Sequence, residues 1–234
     1  MTLPPQSYVI ASDRPWNAGL VERVSARCGK TVHPITEKGA LTPAHLEALA
    51  PRFVFFPHWS YKIPKAVFEA YPCVIFHMTD LPYGRGGSPL QNLIVRGHRE
   101  TKITALRCVE AFDAGPVYMK RPLSLLGAAE EIFLRADRII EDMIVEIVAT
   151  EPVPVPQEGE PVVFRRRTPS DGNLAQATDL DGLYDMIRML DAQGYPAAFV
   201  EVGPFRLDFT RAIRRCDGVV ADVRITRREE ASND

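Results

Sequence analysis

Cys73-Val74-Ile75-Phe76-His77-Met78-Thr79-Asp80-Leu81-Pro82-Tyr83-Gly84-Arg85-Gly86-Gly87-Ser88-Pro89 reads as an apolar strand, a turn-rich loop and a helix start in succession. The run from Cys73 to Phe76 has no polar face, which is the pattern of a strand buried on both sides. Gly84, Gly86 and Gly87 make the loop, and Ser88-Pro89 sets a cap ahead of proline at the first helical position. His77 therefore stands at the carboxyl end of a strand, where open α/β sheets collect ligands. A second turn, Phe112-Asp113-Ala114-Gly115-Pro116, offers a carboxylate further along. An imidazole and a carboxylate on separate turns are the equipment for moving a proton during acyl transfer.

Outward from this stretch the chain alternates. Apolar runs at 7–11, 31–35, 53–56, 73–76, 102–109 and 117–121 predict strands. Helical spacing predicts helices over 16–27, 42–50, 64–70, 88–97 and 130–150, the first stopped by Gly29 and the second opened by Thr42-Pro43. The alternation predicts an α/β domain over residues 1–150 with a mainly parallel sheet. Residues 151–161, with four prolines, read as an extended linker. Beyond it, 162–226 reads as a small β-rich module with one helix near 183–190, and 227–234 as a polar tail.

The 234 residues are 46% hydrophobic, enough to bury a sizeable core. With 28 basic and 30 acidic side chains the net charge is −2, so no global field draws in nucleic acid or an anionic membrane. No apolar run approaches the ~20 residues of a membrane span, and no leader is evident at the start, so the cytoplasm is the expected compartment. Cys28, Cys73, Cys108 and Cys216 lie far apart, which argues for free thiols rather than a zinc site.

The two turns resemble those of the 10-formyltetrahydrofolate-dependent formyltransferases. That family carries Asn-x-His-x-Ser-Leu-Leu-Pro-x-x-Arg-Gly and a later Asp-x-Gly. His77, Leu81, Pro82, Arg85 and Gly86 match the first motif, and Asp113 and Gly115 the second. Thr79 and Asp80 stand where the family has Ser and Leu, and Ile75 where it has a catalytic Asn. The resemblance implies a Rossmann-like catalytic domain with a small OB-like module behind it. It also implies 10-formyltetrahydrofolate as formyl donor, and it assigns no metal. Within the family the chain is most similar to compact amino-sugar (pseudaminic-type) N-formyltransferases. This implies a small-molecule primary amine as acceptor, most simply a nucleotide-linked amino sugar, with no nucleic acid and no membrane, and a homodimer as an allowed state.

On that resemblance His77 polarises the formyl carbonyl and Asp113 steers the amine proton. Thr79, Asp80, Leu81, Pro82, Tyr83 and Gly84, with Val109, Glu110 and Phe112, would hold the folate. His58 is either a stand-in hydrogen-bond donor for the missing amide or a packing histidine. Asp13, Arg14, Trp16 and Trp59 are candidates for the acceptor side, with Trp16 equally readable as core. Arg165-Arg166-Arg167 is either a phosphate-binding patch or a solvated strand edge. Three rivals stand beside amino-sugar formylation: a hydroxyornithine formyltransferase, a folate deformylase, and a folate-binding protein that has lost catalysis through Ile75.

Overall fold

The computed structural model describes residues 7–228; residues 229–234 of the expected polar tail lie outside the described residues. Strand β1 (Ser7–Ala11) anchors the first half, because Tyr8-Val9-Ile10-Ala11 is buried on both faces. It pairs in parallel with β2 (Thr31–Ile35) on one side and β3 (Pro51–Pro57) on the other. Strand β4 (Cys73–His77) continues the parallel set, and β6 (Glu100–Arg107) and β7 (Val117–Ser124) extend it antiparallel, in the order β2-β1-β3-β4-β6-β7. The expected α/β domain with a mainly parallel sheet is what the chain forms.

Helices α1 (Leu20–Cys28), α2 (Pro43–Leu49), α3 (Lys65–Ala70), α4 (Pro89–Ile94) and α5 (Ala129–Thr150) cover the sheet. Thr42 caps α2 as its sequence suggests, its hydroxyl accepting the His45 amide at 3.2 Å. Two helix starts differ from expectation. The helix read over 16–27 is broken, because Gly19 sits left-handed at φ +72° between a 3-10 turn at Pro15–Asn17 and α1. Ser88 does not cap α4; it lies at φ +50° and its hydroxyl accepts the Arg167 amide at 3.1 Å instead. A long-range bond has displaced the local one. Helix α5 packs Ile132, Phe133, Ala136, Ile140 and Ile144 on the sheet. Its polar seam, Asp137 and Glu141, is paired with Arg23 of α1, each at 2.5 Å.

After α5 the chain runs back across the catalytic half. Val155 exchanges two backbone bonds with Val117, and β8 (Val162–Phe164) pairs in parallel with β5 (Tyr83–Gly86). Nothing local in Tyr83-Gly84-Arg85-Gly86 favours a strand; the pairing is supplied by a partner some 80 residues away in sequence. Helix α6 (Leu180–Arg188) then packs on a three-stranded antiparallel sheet of β9 (Ala198–Val202), β10 (Phe205–Arg214) and β11 (Val219–Arg227).

Arg188 ties this module to the first. Its guanidinium is buried, donating to Asp185 at 2.6 Å and to the carbonyls of Leu125 and Gly127 at 2.6 and 2.9 Å. Removing it strands a buried carboxylate and two carbonyls, so Arg188→Ala should lower unfolding stability by about 3–5 kcal/mol. Urea denaturation tests this; a loss under about 1 kcal/mol would show that the tether carries little.

Candidate active site

His77 ends β4, and its neighbour in the register is Thr104 of β6. The ring is almost fully buried, and Nε2–H donates to the Gly84 carbonyl at 2.8 Å. In its neutral form the ring carries its proton on Nε2 and leaves Nδ1 bare. That Nδ1 lies 3.6 Å from Asp113 Oδ1. The other carboxylate oxygen, Oδ2, accepts the Gly86 amide at 2.9 Å. The two turns singled out in the sequence thus close on one another.

Several elements hold this geometry. Asp113 sits at φ +52°, a conformation that must be held from outside. Gln157, from the proline-rich stretch, donates to the carbonyls of Asp113 and Gly115, both at 2.8 Å. Its own carbonyl accepts Arg85 Nη2 at 2.8 Å, so Arg85 braces the turn rather than facing substrate. A side chain at 115 would stand 1.8 Å from the Arg107 carbonyl, so only glycine lets this turn pass.

The pair opens on a cavity of about 1230 Å³. Pockets for one small ligand usually span about 300–1,000 Å³, so this one is larger than a single small ligand needs. The walls include Ile75 and Met78 from the sheet end, Leu90 from α4, Val109–Asp113 from the turn, and Arg166, Arg167 and Tyr195 from the C-terminal half. Of the residues expected at the folate, Val109, Glu110 and Phe112 line this cavity, Phe112 largely exposed at the rim. Thr79, Asp80, Leu81, Pro82, Tyr83 and Gly84 do not line it. Thr79 and Leu81 are buried behind the loop, Asp80 is paired with Lys102 and Lys120 at 2.8 and 2.5 Å, and Tyr83 meets His98 Nε2 at 3.1 Å. On the acceptor side Arg14, Trp16 and Trp59 line the cavity. Asp13 lies in an adjoining cleft and accepts the Tyr61 hydroxyl at 3.1 Å. Trp16 is also core: its ring stacks on Phe133 with centroids 4.4 Å apart.

His58 follows β3 at φ +54°. Its Nδ1 faces both the Trp16 indole N–H at 3.1 Å and the Asn17 amide oxygen at 3.3 Å; the indole can only donate, so at the shorter contact Nδ1 accepts and Nε2 holds the proton. Burial, reinforced by Arg14, drives the imidazole pKa down to about 3. The residue as a whole is half-buried, but Nε2 is sealed from solvent and has no hydrogen-bond partner among the described residues.

The lining carries Arg14, Lys62, Lys65, Arg85, Arg107, Arg166 and Arg167 against only Glu110 and Asp113. Burial depresses the Arg167 guanidinium, with Asp171 opposing and Arg165 and Arg96 reinforcing the shift. The sequence reading missed Gln157 and Tyr195 as parts of this site, and weighed Arg165-Arg166-Arg167 as a phosphate-binding patch without placing it beside His77. No local pattern marks them; each arrives from the second half of the chain. Among the described residues no three His, Cys, Asp or Glu side chains gather as metal ligands, and no helix is long and apolar enough to cross a membrane.

Comparison with known proteins adds to this geometry. Residues 169–226 match the family model described as methionyl-tRNA formyltransferase, C-terminal domain. The solved structure of a methionyl-tRNA formyltransferase from Clostridium thermocellum superposes with a TM-score of 0.92 and 45% identity, covering 95% of this chain and 99% of that one. A curated methionyl-tRNA formyltransferase from Halorhodospira halophila is 27% identical over 231 residues, 92% of this chain and 73% of its own length. The chain spans only 58% of the length of another curated relative it matches. HypX from Aquifex aeolicus in complex with tetrahydrofolic acid shares the fold, with a TM-score of 0.71 at 21% identity over 89% of this chain and 38% of that one.

These relatives overturn one expectation. A small-molecule acceptor with no nucleic acid as partner does not stand beside relatives whose names carry a tRNA. The physical reason is averaging. A net charge of −2 spread over 234 residues conceals the cationic excess gathered at one cavity.

The buried imidazole has a pH consequence. Unfolded, His58 takes a proton near pH 6.5, whereas folded it does so only near 3, so the unfolded state binds more protons between these values. Its contribution to stability is present above pH 6.5 and is lost as pH falls towards 3. Urea unfolding at pH 7 and pH 5 should show a loss of about 2 kcal/mol from this group that His58→Phe abolishes. An equal loss in the variant would contradict it.

Proposed function

This chain belongs to the formyltransferase family of enzymes, and on that premise we propose formyl transfer from 10-formyltetrahydrofolate to the α-amino group of an aminoacyl-tRNA, methionyl-tRNA first. The observation that carries the choice of acceptor is the cationic lining, six Lys or Arg side chains besides the braced Arg85 against two carboxylates. A polyanion is the ligand such a surface suits. The 45% identity to a methionyl-tRNA formyltransferase along nearly the whole of both chains supports the same choice.

The residues present fit a flat, heteroatom-edged donor. Ile75, Leu106 and Val109 offer apolar contact, and the 109–113 turn offers backbone groups to a ring edge. The amine nitrogen attacks the formyl carbon, and the carbonyl electron pair moves to oxygen. His77 Nδ1 is the unprotonated base placed to take the amine's proton, with Asp113 beside it to stabilise the imidazolium. Collapse restores the carbonyl and breaks the bond to the folate nitrogen, which receives that proton. His77 cannot use Nε2–H for any of this while it is committed to Gly84. His58 Nε2–H, kept in its donating tautomer by Trp16, serves the acceptor side of the cavity.

The test is donor turnover against methionyl-tRNA, nucleotide-linked amino sugars and hydroxyornithine, with His77→Ala as control. Charged tRNA should be formylated, with His77→Ala slower by about 10²-fold or more. The KM for tRNA should rise about tenfold or more from 50 to 200 mM salt, and Arg166→Glu with Arg167→Glu should raise it while leaving kcat nearly unchanged. Efficient turnover of an amino sugar with none of charged tRNA would overturn the acceptor; formate release needing no amine would overturn transfer itself.

A further inference from the structure

Two buried N–H donors in the cavity lining, His58 Nε2 and Trp59 Nε1, have no hydrogen-bond partner among the described residues. A sealed donor left unpaired costs about 1–3 kcal/mol, a cost tolerated where a ligand completes the bond. The two lie on opposite faces at the end of the sheet. The His58 ring packs edge-on against Trp16 and Phe133, at 5.7 and 5.4 Å, in the cluster that also holds Val74 and Phe76. Trp59 packs edge-on against Phe56 at 6.1 Å and belongs with Cys73 and Ile75. Phe56 and Ile75 are register partners across β3 and β4. His77 comes two residues after Ile75 and so shares its face.

The reacting pair therefore has a donor on its own side, and it is not the one nearest in type. Ile75 has no N–H to give, and the His77 N–H is engaged. We infer that the Trp59 indole N–H is the donor that takes up the negative charge forming on the formyl oxygen. The assignment rests on the formyl-transfer reading. An indole suits the role because it donates and never accepts a proton, so it cannot compete with His77 for the amine's proton. It offers a preorganised neutral dipole in a water-poor site, which is where such a bond counts most.

Trp59→Phe keeps the ring and removes only the donor. It should lower kcat by about 10²–10³-fold with the KM for 10-formyltetrahydrofolate changed less than threefold, and Trp59→Tyr, which regains a donor, should recover at least tenfold of the loss. The chain has two tryptophans, so its indole 1H–15N spectrum holds two signals and serves as a measurement on the unmutated protein. Adding 5-formyltetrahydrofolate should move the Trp59 signal downfield and leave that of Trp16, already bonded to His58, nearly in place. A folded Trp59→Phe variant with wild-type kcat would overturn the inference. So would a Trp59 signal unmoved at saturating ligand, should the variant fail to fold. Wild-type protein that forms no formylated product with any acceptor would instead sink the formyl-transfer reading.

Discussion

Two hydrogen bonds made by one loop govern this structure: Gly84 C=O to His77 Nε2–H and Gly86 N–H to Asp113 Oδ2. The first decides which ring nitrogen is left to act, and the second aims the carboxylate at it. Both require the loop to fold back on the strand it leaves. At position 84, at φ +79°, a side chain would meet Phe164 and Thr79 at 2.7 Å, and at 86 it would meet the Phe164 carbonyl at 2.5 Å. The glycines are there because β8 presses directly against them. The chemistry of the first half is therefore fixed by a strand from the second.

Electrostatics divide along the same line. Charges inside the fold are matched in detail, as Arg23 is with Asp137 and Glu141. Around the cavity the matching is partial: Arg14 pairs with Asp13 and Lys65 with Glu110, and the remaining excess is cationic. Unpaired groups cost stability, so their gathering in one place marks where a ligand is expected to complete them. The orphan donors on His58 and Trp59 belong to the same pattern.

Much of the first half was legible in the sequence because its signals are local. Apolar runs marked β1 and β4, Thr42-Pro43 marked α2, and the ordered motif from His77 to Gly86 marked the histidine now proposed to react. What escaped was non-local. Arg85 and Gln157 meet across the fold, Ser88 gives up its capping role to Arg167, and β5 exists only because β8 lies beside it. Periodicity carries no information about such partners. The acceptor was misjudged for a related reason, since a chain-wide charge sum says nothing of where the charges lie.

The central claim is that His77 gives its Nε2–H to the Gly84 carbonyl, leaving Nδ1 opposite Asp113 as the nitrogen that exchanges the proton. Long-range 1H–15N correlation of the histidine rings reads this directly near neutral pH. The account predicts an Nε2–H tautomer for His77 that shifts on Asp113→Asn substitution. A His77 ring protonated on Nδ1 with Nε2 bare, or one indifferent to the state of residue 113, would contradict it.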